Sequence, residues 1–144
     1  MSKEQADHHD AELVLRLYDL RRELVMRQSR DAINGQFWPR SYEDVIAVTK
    51  PDHHLNAPYR QVGTYWEMVY GMVRHGIVHP DYFLECNGEG LYLFAKVAPH
   101  LETLRRDASP TSFRNAEHVA TETATGRRVF ELFSARVRKV MESR

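Results

Sequence analysis

The sequence predicts an all-α protein, a bundle of about four to six helices with two of them long and amphipathic. Three observations carry this expectation. Apolar residues recur at intervals of three and four over most of the 144 residues. No stretch alternates apolar and polar positions between turn signals, as a half-buried strand would. Turn signals separate several of the periodic stretches, as at Asn34-Gly35, Pro51, Gly76 and Asn87-Gly88-Glu89-Gly90, while Pro99 falls inside one.

The first long segment spans about Asp10 to Ile33. Leu13, Leu17, Leu20 and Leu24 follow helical spacing, Val14, Tyr18 and Val25 widen the stripe, and Asn34-Gly35 supplies the stop. Phe37-Trp38-Pro39 reads as an aromatic plug over one end of the core. A short helix starts at Ser41, with Ser41 and Asp44 at capping-box spacing, and ends before Pro51. Asn56 is the expected N-cap of the next helix, which holds Pro58 in its first turn and carries Tyr59, Val62, Trp66, Val69 and Val73 on one side. Gly76 ends it, and Pro80-Asp81 opens a further helical turn in which His79 is read as N-cap. Asn87-Gly88-Glu89-Gly90 is a turn, too short and acidic to cradle a phosphate. Leu91 to Arg106 is helical again, with a kink or break at Pro99. The last segment sets Val119, Thr123, Gly126, Phe130, Phe133, Val137 and Val140 at alternating spacings of four and three, weakened at Thr123 and Gly126.

A chain of this length suits one domain, residues 1–144, with 1–9 expected to fray. No window approaches about 18 uninterrupted apolar residues, so no membrane span is predicted. The polar N-terminus and the single Cys86 point to the cytoplasm. Cys86 itself, with no basic neighbour, reads as a buried inert thiol. The 20 Lys and Arg balance 20 Asp and Glu, which argues against non-specific binding to a phosphate backbone. The balance is not uniform, however. Residues 41–98 carry four cations and seven anions, and residues 127–144 carry six and two. The basic end is read first as a face complementing the acidic middle of its own or another copy.

The run from Tyr65-Trp66-Glu67 through Val73-Arg74-His75-Gly76-Ile77-Val78-His79-Pro80-Asp81 resembles the core of a family of small bacterial helical domains of unknown function. Tyr92, Phe94, Pro99 and Leu101-Glu102-Thr103-Leu104-Arg105 match its next helix, so the likeness covers about residues 62–106. His79 stands where that family more often has Asp, and this chain lacks the membrane-spanning helix with which many members begin. The resemblance implies an α-helical fold built around a helix-turn-helix pair. It implies no activity and supplies no catalytic residues.

Histidine and Glu67 are the candidate chemical groups. His8-His9-Asp10 and Asp52-His53-His54 are dense clusters, and imidazole and carboxylate are common ligands of zinc and non-haem iron. Neither cluster has the Glu-x-x-His or His-Glu-x-x-His spacing that sets two ligands on one helical face. Solvated histidines are therefore the first reading, and His53, His54, Glu67, His75 and His79 the candidates for a metal. His75 is favourably placed at a helix C-terminus whether or not it binds anything. Glu67, among Tyr65, Trp66, Met68, Val69 and Tyr70, must face solvent or find partners, and an ion pair with Arg60, Arg74 or a first-helix arginine is expected. No nucleophile or second acid stands at a telling distance from it.

Three functions follow. The leading one is a non-enzymatic scaffold or interaction module that forms a homodimer or higher homo-oligomer, with no cofactor, through the seam of Val119, Phe130, Phe133, Val137 and Val140. The second is a metal- or small-ligand-binding bundle, enzymes included, that uses the His and Glu side chains. The third is a nucleic-acid-binding regulator that uses the basic C-terminal helix.

Overall fold

A computed structural model describes residues 3–144. The elements are α1 (His8–Arg21), α2 (Leu24–Gln36), α3 (Tyr42–Val48), α4 (Asn56–Arg74), α5 (Pro80–Cys86) and α6 (Gly90–Val97). A 3-10 turn (Ala98–His100) leads into α7 (Leu101–Asp107), and α8 (Arg114–Glu122) and α9 (Ala124–Ser143) complete the chain. No strand occurs among the described residues. No helix among them is long and apolar enough to cross a membrane.

The all-α class is as expected, but the described residues form nine α-helices rather than four to six. Two breaks account for much of the difference. The expected helix from Asp10 to Ile33 divides at Arg22–Glu23, where Glu23 turns extended (φ −60°, ψ 143°) and its carboxylate accepts the Met26 N–H at 3.1 Å. Neither Gly nor Pro marks this break. The seam from Val119 to Val140 divides at Thr123, which is also extended (φ −121°, ψ 144°). Thr123 Oγ1 donates to the Val119 carbonyl at 2.8 Å and accepts the Gly126 N–H at 2.9 Å, ending α8 and capping α9. A β-carbon on Gly126 would overlap the Val119 carbonyl oxygen, so the hinge requires glycine there.

Several caps follow the sequence reading. Ser41 Oγ accepts the Asp44 N–H at 3.4 Å, although the Asp44 carboxylate reaches Arg40 N rather than completing the box at Ser41. His79 Nδ1 accepts the Tyr82 N–H at 3.2 Å, and Pro99 lies in the 3-10 turn that separates α6 from α7. Gly76, at φ 73°, follows the C-cap of α4. Asn56 is not a cap. It is buried in the first turn of α4, where its amide donates to the Val48 carbonyl at 2.9 Å and its oxygen accepts from Arg60 Nε at 3.1 Å. Of the segment expected to fray, residues 1–2 lie outside the described residues. Asp7 and Asp10 form a reciprocal capping box from which α1 begins at His8.

Helix α4 is the centre of the packing. Its buried face of Val62, Tyr65, Trp66, Val69, Tyr70 and Val73 lies against α2 on one side and α8 on the other. Helix α6 is buried almost all round and packs against α9, α8, α4 and α2. That placement explains why it is apolar at nearly every position. Helix α5 bridges α1 and α9, and α3 packs on α7.

Candidate functional site

Glu67, Gly71 and Arg74 stand at spacings of four and three, so they form one polar stripe along α4. The stripe faces the start of α8. The residue before α8 is Phe113, held at φ 57°, and its side chain has no acceptor with which to cap the helix. Glu67 supplies one from a different helix. Its carboxylate accepts the N–H groups of Asn115 at 3.0 Å and Ala116 at 2.8 Å. Asn115 answers by donating its amide to the Glu67 carbonyl at 2.9 Å and accepting from Arg74 Nε at 2.6 Å. A β-carbon at position 71 would lie 3.1 Å from the Asn115 amide nitrogen, so Gly71 leaves room for this exchange. The expected arginine partner of Glu67 is thus replaced by a helix N-terminus, where two N–H groups and the helix dipole satisfy the carboxylate.

Beside this clamp lies a cleft of about 320 Å³ lined by Arg74, Asp81, His118 and Glu122, with Val73 and Pro80 beneath. Asp81 is already engaged, accepting from Thr125 Oγ1 at 2.6 Å. The cleft carries charges of both signs, and the hydroxyl in its lining, that of Thr123, donates to the Val119 carbonyl.

A second polar centre surrounds the Asn87–Gly90 turn. Arg30 Nη2 meets Glu89 Oε2 at 2.6 Å, and the Asn34 amide donates to Glu89 Oε1 at 2.9 Å. Arg21 Nη1 donates to Asn87 Oδ1 at 2.5 Å and stacks 5.5 Å from the Trp66 ring. Tyr70 Oη donates to the Asn87 carbonyl at 2.9 Å, and Tyr65 Oη to the Leu17 carbonyl at 2.8 Å. The turn is a structural anchor for α1, α2 and α4.

The third centre is Lys96, a buried cation on the most apolar helix of the chain. Its ammonium donates to the carbonyls of Ile33 at 3.0 Å and Asn34 at 3.3 Å, near the C-terminal end of α2. It also sits 3.8 Å from the Trp38 ring centroid and 4.9 Å from that of Tyr92. Burial pushes its pKa down from 10.5 to about 7, and the nearby Arg144 adds to the effect. Within the aromatic plug expected at Phe37-Trp38-Pro39, Phe37 is buried in the core and packs on Tyr59, while Trp38 roofs the buried lysine. A lysine within Leu91-Tyr92-Leu93-Phe94-Ala95-Lys96-Val97 is a sequence signal that such a site exists, because its charge must find partners.

The histidines expected to compete for a metal are dispersed into separate contacts. His53 Nδ1 accepts the Leu55 N–H at 3.0 Å, and its ring stacks on His54 at 4.8 Å. His75 is the C-cap of α4, with Nε2 lying 3.1 Å from Arg74 Nη2. His79 caps α5, and its own N–H donates to the buried Asp10 carboxylate at 3.1 Å. Among the described residues no three His, Cys, Asp or Glu side chains converge as a metal site would require. Cys86 is exposed rather than buried. Partial desolvation and the neighbouring Glu85 push its thiol pKa up, away from the reactive thiolate.

The seam assigned to a partner is used largely within the chain. Val119 is fully buried and Val137 nearly so, Phe130 packs on Phe94 at 5.3 Å, and Phe133 packs on Tyr92 at 5.2 Å. Val140 is half-buried. The apolar side of α9 covers α6, which is why its periodicity is so regular.

A family model described as Domain of unknown function (DUF4760) matches residues 6–123. The chain belongs to this family. The matched DUF4760 segment includes the Glu67–Arg74 stripe, the Asn115 exchange, the Glu89 cluster and Lys96, and it stops at the Thr123 hinge before α9. No curated protein and no solved structure matches the chain.

Proposed function

We propose that the domain is a non-enzymatic interaction module that self-associates through the elbow between α1 and α2. One observation carries the reading. Leu15, Tyr18, Leu20, Leu24 and Val25, all within residues 15–25, are each between 48% and 68% exposed. Single exposed apolar residues are ordinary, but five large ones on one short helix-turn-helix point to a surface that is covered in use.

The surroundings favour a second copy of the chain as the cover. The exposed charged residues interleaved with these side chains are Arg16, Asp19, Arg22 and Glu23, two of each sign. A two-fold interface brings the same patch against itself, and charges of both signs in equal number allow opposite charges to meet there. The inner side of α1 is meanwhile tied down at both ends, by Asp10 on His79 and by Arg21 on Asn87. That leaves the outer flank presented on a fixed support.

The test is mass in solution together with a paired variant. Light scattering on the wild type is expected to give twice the chain mass of 16.9 kDa. Leu15→Glu with Leu24→Glu is expected to give the monomer with an unchanged helical spectrum. A wild type that stays monomeric at high concentration would remove the reading.

A further inference from the structure

We propose that the groove between the Pro39–Arg40 turn, α6 and the C-terminal half of α9 binds a small amphiphilic anion, a carboxylate or phosphate group on a short apolar chain. The groove is open to solvent, has a volume of about 340 Å³ and is a site distinct from the elbow. Its charged lining comprises Arg40, Lys96 and Arg138 against Glu142 alone, and Pro39, Pro99, Val137 and Met141 contribute apolar wall. The combination of excess cations and apolar surface calls for an anionic head and an apolar body.

The cations here lack counter-charges within the protein. Among the described residues, no carboxylate lies within ion-pair distance of Lys96, Arg40 or Arg138. Lys96 is nearly inaccessible, and its hydrogen bonds go only to neutral carbonyls. The Arg40 guanidinium finds the Met141 carbonyl at 3.5 Å. Arg144 stacks 5.3 Å from the same Trp38 ring that covers Lys96 and adds to the positive field. The basic end of the chain was expected to complement the acidic middle. Among the described residues, no side-chain ion pair involves a cation of residues 127–144. Gathering unpaired cations around a buried ammonium is unfavourable in the empty protein, and a bound anion offsets it. The small volume and the apolar wall favour such a molecule over a nucleic-acid backbone, which needs a continuous exposed track of charge.

The probes are hexanoate, hexyl phosphate and neutral hexanol, titrated into the full chain by calorimetry at about pH 6, where the ammonium is charged. Trp38 emission provides a local readout, with Trp38→Phe as its control. At least one of the two anions is expected to bind at least about tenfold more tightly than hexanol, the discrimination given by one or two charge-assisted contacts. The tighter anion identifies the head group as carboxylate or phosphate. Lys96→Met, which removes the buried charge at the groove and leaves Arg40 and Arg138, is expected to weaken the preference for an anion. Arg138→Ala, at an exposed position that leaves the fold intact, is expected to weaken anion binding by about fivefold or more. Hexanol binding as tightly as both anions, no saturable binding of either anion, or unchanged affinity in Arg138→Ala and Lys96→Met would overturn the proposal.

Discussion

The carboxylate of Glu67, in the middle of α4, caps α8 by accepting the backbone N–H groups of Asn115 and Ala116. A helix of nine residues that begins after a left-handed phenylalanine has no cap of its own, so its start depends on a residue almost fifty positions earlier. The same α4 face holds Asn115 through Arg74, which makes the α4–α8 contact a polar clasp over an apolar core. Glu67→Ala is therefore expected to destabilise the fold by about 1–3 kcal/mol, the cost of a lost cap and two unpaired N–H groups. Urea denaturation checks this, with Glu85→Ala on exposed surface as a control expected to change little.

Gly126 permits the sharp passage from α8 to α9. Gly126→Ala forces its β-carbon onto the Val119 carbonyl, and the backbone must shift to relieve the overlap. A loss of about 3 kcal/mol or more is expected. The thermal midpoint measures it, and a midpoint within a degree or two of wild type would contradict the account of the hinge.

Much of the local structure was legible because its chemistry is local. The caps at Ser41 and His79, the stop at Gly76 and the break at Pro99 each depend on residues within one turn. The division at Arg22–Glu23 was not legible, since a glutamate is an uncommon N-cap and the apolar stripe runs through it unbroken. Thr123 and Gly126 did interrupt the last seam, and the interruption proved to be the hinge rather than a flaw in a zipper. The candidate site was the least legible part. The sequence marks Glu67 as a carboxylate that must face solvent or find partners, but those partners are backbone groups, which carry no sequence label. Asp10 lay hidden within a histidine cluster, although it, not the histidines, makes the tertiary contact.

Lys96 sets a pH dependence of definite sign. Its pKa is about 7 in the folded protein and 10.5 when unperturbed, so between these values the unfolded chain binds more protons. Its contribution to stability therefore rises with pH across that window, and below about pH 7 the full penalty of the buried charge stands. Lys96→Met is expected to be more stable than wild type by roughly 1–4 kcal/mol at about pH 6, with the gap narrowing toward pH 10. Denaturation at several pH values measures this. A variant less stable than wild type throughout would contradict it.

Asp10 has the opposite sign. Desolvation raises its pKa, but hydrogen bonds from Asp7 and His79 together with Lys3 outweigh this and hold it below 3.8. Its stabilisation is present above that value and is lost as pH falls through the lower folded pKa. Asp10→Asn is expected to be less stable than wild type near neutrality and to converge with it in strong acid. Acid titration followed by circular dichroism checks the convergence.

The central claim is that the α1–α2 elbow is a surface for a second copy, and light scattering over a range of concentrations tests it most directly. The account predicts a wild-type particle of twice 16.9 kDa that becomes a folded 16.9 kDa monomer in the Leu15→Glu, Leu24→Glu variant. A wild type that remains at 16.9 kDa at every concentration, or a variant that stays dimeric, would contradict it.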